Sequence, residues 1–187
     1  MPKLLRPDEK IAFVQTRAPK ALWLDVKTVA IKAASDGTVT RLCTNGMLQW
    51  LAAKPWMKGD PWLRPQDLKD KTDASTGFRQ VNLPLSNMDE GGHTIVSKVY
   101  LERHGLLALV DRDKHALRDI LHTNEFSKLV YVAAEQLEIS GATLAFTFLT
   151  WLHEVKCKPA LAAIASQKAM PTGTPFSRAT TPRRSKK

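Results

Sequence analysis

The chain has 187 residues, among them 28 Lys or Arg against 18 Asp or Glu, which gives a formal net charge of +10 and an isoelectric point near 9.8. With 43% apolar residues it can bury one sizeable core, and its cationic surplus favours polyanionic partners, because Lys and Arg that neutralise phosphates release condensed counterions. No run reaches the ~18 apolar residues of a membrane helix, and Cys43 and Cys157 show none of the paired spacings of zinc sites or small disulfide scaffolds.

The opening "MPKLLRPDEK" lacks the apolar run of a signal peptide, so a cytoplasmic setting with both thiols buried and reduced is expected. From Ile11 to Cys43 the chain is rich in Val, Ile, Trp and Thr, and "ALWLDVKTVAIKAA" alternates as one long strand or two short ones would. "SDGT", Ser35 to Thr38, reads as a tight turn, which makes a β-hairpin the expected opening of the fold. "NGMLQWLAAK" predicts a short helix begun by Asn45 and stopped before Pro55.

The Pro-rich, charged segment from Lys54 to Gly77 is expected to be a surface loop. Its Trp56 and Trp62, set among Lys54, Lys58 and Arg64, could stack on bases or could pin the loop to the core. "GFRQVNLPL" predicts a strand and "SNMDEGG" a turn. The stretch from Asp113 to Gly141 carries apolar residues at helical spacing, "ISGATLAFTFLTWLH" predicts a buried helix, and "KPALAAIASQKA" a last helix starting at Pro159. The expectation is an α+β fold: an N-terminal β-hairpin region, a small mixed sheet and C-terminal helices in one domain over 1–169. A disordered basic tail over 170–187 would carry half the net charge.

Three stretches resemble known families. "LERHGLLALVDRD", Leu101 to Asp113, resembles the passage from recognition helix to wing in winged-helix DNA-binding proteins. The resemblance implies a helix over Thr94 to His104 in the major groove, with Ser97, Lys98 and Arg103 facing DNA and Arg112 and Lys114 on the backbone from the wing. The same letters also fit a strand and a hairpin turn at "RHG", and both readings stay open. Pro7-Asp8 and, after sixteen intervening residues, Asp25-Val26-Lys27 resemble the signature of restriction-type nucleases. There Asp8 and Asp25 would hold Mg²⁺ against the scissile phosphate and Lys27 would activate water, Asp25 and Lys27 sharing one face of a predicted strand; an ordinary amphipathic strand is the alternative. "SDGTVTRL", Ser35 to Leu42, is similar to the nucleotide-phosphate turn of the ParB and sulfiredoxin superfamily, which includes small inhibitors of conjugative DNA transfer, and a simple hairpin turn is its alternative.

No serine-hydrolase elbow, Walker loop or dinucleotide fingerprint occurs, and His115 and His122, though on one helical face, lack the further ligands of a metal set. The function expected from sequence is a DNA-binding accessory or regulatory protein suited to a plasmid or phage, without a cofactor. Arg178, Arg183 and Arg184 of the tail would add salt-sensitive affinity. The rivals are a Mg²⁺-dependent nuclease or nucleotide-using transfer inhibitor, and an interaction protein whose tail meets an acidic partner.

Overall fold

A computed structural model describes residues 5–33, 38–53, 77–111 and 113–169. It is α+β, with a two-stranded antiparallel sheet and a majority of helix. Strand β1 (Ile11–Pro19) pairs with β2 (Phe78–Ser86) from Ile11 opposite Ser86 to Pro19 opposite Phe78. Burial alternates along β1 from Phe13 to Ala18, so one face of this ribbon buries Val14, Thr16 and Ala18 while the other presents Phe13, Gln15 and Arg17 to solvent. The predicted opening hairpin is therefore corrected: β1 has its partner far along the chain, and the segment that follows it is helical.

That segment is α1 (Lys20–Lys32). Its buried residues Val26, Val29 and Ala30, with Leu22 and Trp23 partly buried against the core, recur at i, i+3 and i+4, which is a helical stripe and not a strand's alternation. Helix α2 (Val39–Ala52) begins well before Asn45, because the Thr38 side chain caps it by accepting from the Arg41 amide at 3.2 Å. Most of the predicted "SDGT" turn lies outside the described residues, as does the segment 54–76 with Trp56 and Trp62.

Beyond β2 a tight turn closes at Gly92, whose φ of +83° a residue with a side chain would resist. It leads to α3 (Lys98–Arg103), capped by Ser97, and then to a single helical turn, α4 (Leu107–Val110). Of the two readings of Thr94–His104, helix and strand, the helix holds, over Lys98–Arg103. The helix is only six residues long, the hairpin strands are absent, and Leu107–Val110, where a wing strand was expected, is helical. Leu106, Leu109 and Val110 are buried at helical spacing, which a strand could not achieve. Helices α5 (Lys114–Thr123) and α6 (Ser127–Gln136) follow as the spacing predicted. The buried helix is α7 (Gly141–Leu152), which passes through a π-helical turn (His153–Cys157) into α8 (Lys158–Ala169).

The ribbon lies across two helices. Thr16 Oγ1 donates to the Ala142 carbonyl at 2.6 Å and so ties β1 to α7, while the Ser86 amide donates to Thr44 Oγ1 of α2 at 2.9 Å. Beneath them α2 and α7 meet at Gly46, where Phe148 and Leu152 pack directly on the glycine, and Phe148 lies 5.6 Å from the Trp50 ring. Among the described residues no helix is long and apolar enough to cross a membrane.

Candidate nucleic-acid interface

The outward face of the ribbon carries the chemistry. Gln15, Arg17, Gln80 and Asn82 are exposed on it, with Arg17 directly opposite Gln80 and Gln15 opposite Asn82, while Arg79, opposite Ala18, is exposed at the end of the other face. Phe13 stands 58% exposed in the same row. No acidic residue occurs from Lys10 to Leu24 or from Gly77 to Met88, so the whole surface, with exposed Lys10 and Lys20 at the two ends of β1, is cationic and amide-rich. Guanidinium and carboxamide groups are the side chains that pair with phosphates and with base edges. At the Phe78 end the ribbon borders a cleft of about 510 Å³ that draws on both of its faces and on α7, lined by Gln15, Thr16, Arg17, Phe78, Arg79, Gln80 and Ala142. The Phe78 ring is backed by Phe146 at 5.8 Å.

A second cleft, of about 310 Å³, has the opposite character. It lies between α2, the Asp89–Gly92 turn and α3, and is lined by Asn45, Gln49, Asp89, Glu90, Tyr100 and His104 among others. Tyr100 stacks on His104 at 4.1 Å, and burial, then the Asp89 carboxylate, push its phenol up to about 12. Two carboxylates make this cleft unsuited to phosphate.

The sequence-predicted site residues do not assemble. Ser97 spends its hydroxyl on capping α3, accepting from the Tyr100 amide at 3.2 Å and donating to the Thr94 carbonyl at 3.2 Å. Lys98 and Arg103 are exposed at opposite ends of α3, five positions apart, so they do not share a face, and Lys114 is exposed at the start of α5. Arg112, Arg178, Arg183 and Arg184 lie outside the described residues.

Asp25 and Lys27 stand on a helix, where residues two apart point to nearly opposite sides, so the shared face expected of a strand is corrected. The Asp25 carboxylate takes a bond from His153 Nε2 at 2.8 Å, and the Lys27 ammonium lies 5.7 Å from the Trp23 ring centre. Asp8 is exposed, and its carbonyl accepts from Asn87 Nδ2 at 3.2 Å. No group of three or more His, Cys, Asp or Glu residues among the described ones is arranged to hold a metal.

Arg41 of "SDGTVTRL" is turned inward. Its Nη2 meets Glu9 Oε1 at 2.8 Å and its Nη1 donates to the carbonyls of Met88 and Asp89 at 2.9 and 3.0 Å, while Ser86 Oγ donates to the same Glu9 oxygen at 2.7 Å. This guanidinium thus fastens the chain before β1 to α2 and to the turn after β2. The ribbon, not singled out as a site from sequence, carried one signal there: Gln15 and Arg17 stand two apart among apolar residues in "IAFVQTRAP", as the polar side of a strand would.

Both thiols are buried and unpaired with each other. Burial chiefly, and then Asp25, raise Cys157 to about 11, while burial and then Cys157 raise Cys43 further still. A raised folded-state pKa contributes stability below the ordinary thiol value of 9.0 that is lost as pH climbs through the folded value. The urea midpoint is therefore expected to be level up to about pH 9 and to fall by about pH 11. Native protein should resist an aromatic disulfide reagent in mildly alkaline buffer until denaturant is added, and rapid modification of the folded chain would contradict this burial.

Compared with known proteins, the chain matches no family model, no curated protein and no solved structure.

Proposed function

We propose that the protein is a nucleic-acid-binding accessory or regulatory protein with DNA as its partner, and that the outer face of the β1–β2 ribbon is the contact surface. The observation that carries this reading is the acid-free row of Gln15, Arg17, Gln80 and Asn82, with Arg79 beside it in the cleft at the Phe78 end, on a ribbon packed against two helices. Nine residues of strand span ~30 Å, so Lys10 and Lys20 flank a face long enough to follow several phosphates of a backbone. The net charge of +10 supports the same reading, as does a second cleft whose acidity keeps phosphate to one side of the molecule. A cytoplasmic setting accords with the two free thiols.

The test is a titration of a short labelled duplex with the full chain at several salt concentrations. Wild-type affinity should fall steeply with salt. In the Arg17→Ala/Arg79→Ala double variant the slope of log K against log salt should shrink by ~1.8, about 0.9 for each lost phosphate contact, and affinity in dilute buffer should drop by about tenfold or more. Exchanging Arg178, Arg183 and Arg184 for Gln should lower affinity without changing sequence preference. A wild-type chain that binds no nucleic acid in dilute buffer would refute the reading, and a double variant that binds like wild type would remove the ribbon from it.

A further inference from the structure

We infer that the cleft at the Phe78 end of the ribbon takes one unpaired nucleotide, which makes single-stranded nucleic acid the preferred ligand over duplex; this rests on the ribbon being the contact surface. A volume of about 510 Å³ is that of a small-molecule pocket and is ample for a base with its sugar and phosphate. The lining divides by chemistry. Arg17 and Arg79 bring guanidinium groups suited to a phosphate, and Gln15 and Gln80 bring carboxamides that each offer a donor and an acceptor. Thr16 is already committed to the Ala142 carbonyl, so it anchors the wall.

Carboxamides with both functions complement the Watson–Crick edge of any base, and that edge is free only when the base is unpaired. Because Arg17 and Gln80 are direct cross-strand partners, phosphate and base-edge groups lie side by side at the spacing of paired strand residues. Phe78, 7% exposed and packed on Phe146, closes the apolar end of the cleft. A paired base, with its faces stacked and its edge occupied, can bring only its phosphates and groove atoms to such a cleft, whereas a single strand can insert a whole base. No carboxylate lines the cleft to repel the phosphate.

The experiment compares the full chain's affinity for a short labelled single strand and for the duplex of the same sequence at one salt concentration, with adenosine 5′-monophosphate as competitor. The single strand should bind about tenfold tighter, the effect of one base edge held by paired hydrogen bonds, and the mononucleotide should release single strand at concentrations that leave duplex bound. Gln15→Ala/Gln80→Ala, at two exposed positions that keep both guanidinium groups, should bring the ratio close to one, because single-strand affinity loses the base-edge bonds and falls by the larger factor. Duplex binding equal to or tighter than single-strand binding in wild type overturns the inference while leaving the ribbon interface standing. So does a mononucleotide that displaces neither ligand. Binding of neither nucleic acid overturns both.

Discussion

Arg41→Ala is expected to cost about 3–5 kcal/mol of folding stability, the range for removing one partner of a buried ion pair. The side chains of Arg41 and Glu9 are 14% and 5% exposed. Without the guanidinium, the Glu9 carboxylate keeps the Ser86 hydroxyl, and the Met88 and Asp89 carbonyls lose the donor they share. A buried carboxylate stripped of its counter-charge is the dominant penalty, because desolvation disfavours the charged form far more than a neutral acceptor. For a chain of this length the loss should appear as a fall in melting temperature of about 10 °C.

The damage should also be local. The Lys10 amide donates to Asn87 Oδ1 at 2.7 Å and the Asn87 amide donates to the Lys10 carbonyl at 3.0 Å, immediately beside the Glu9–Arg41 pair. These amides should exchange hydrogen faster in the variant than those in the middle of α7. Urea denaturation with an unchanged slope and a midpoint shift worth under about 1 kcal/mol would show that the pair contributes no more than an exposed salt bridge does.

The elements read correctly from sequence are those whose apolar spacing fits one period. The period-two spacing of Val81, Leu83 and Leu85 and the helical spacing through Ile120, Leu129 and Ala133 each describe a face that is in fact buried. "ALWLDVKTVAIK" failed because its apolar residues are dense enough to satisfy a period of two and of 3.6 alike. Packing of Val26, Val29 and Ala30 against the core decided the outcome, and a single sequence does not record it. The partner of β1 was likewise hidden, because strand pairing across a long loop is a tertiary choice that turn residues near β1 do not report.

Site prediction failed for a related reason. Asp25 and Lys27 drew attention as a motif, yet their environment assigns them to His153 and to Trp23. The Arg17, Arg79, Gln15 and Gln80 cluster draws on two strands far apart in the chain and becomes a surface only once β1 and β2 are in register. Arg41 was noticed for a phosphate role, and its inward direction follows from Glu9, a residue no spacing rule links to it.

Phe148→Ala should remove about 3–5 kcal/mol, and its companion Gly46→Ala should change sign with it. Phe148 is fully buried between Trp50 at 5.6 Å and Trp151 at 6.1 Å, so its truncation leaves a cavity that rigid aromatic neighbours fill poorly. A methyl group at Gly46 would lie 3.3 Å from Phe148 Cζ and 2.9 Å from Leu152 Cδ1 in the intact protein. There the gain in helix propensity, about 1 kcal/mol, is offset by crowding, and the single variant should be neutral or destabilised. In the Phe148→Ala background the ring is gone, the closer Leu152 methyl can turn into the space it leaves, and the same methyl group should stabilise by about 1 kcal/mol. A double-mutant cycle read from urea midpoints should thus give a coupling above about 0.5 kcal/mol, whereas strict additivity would mean that α2 and α7 do not meet at Gly46.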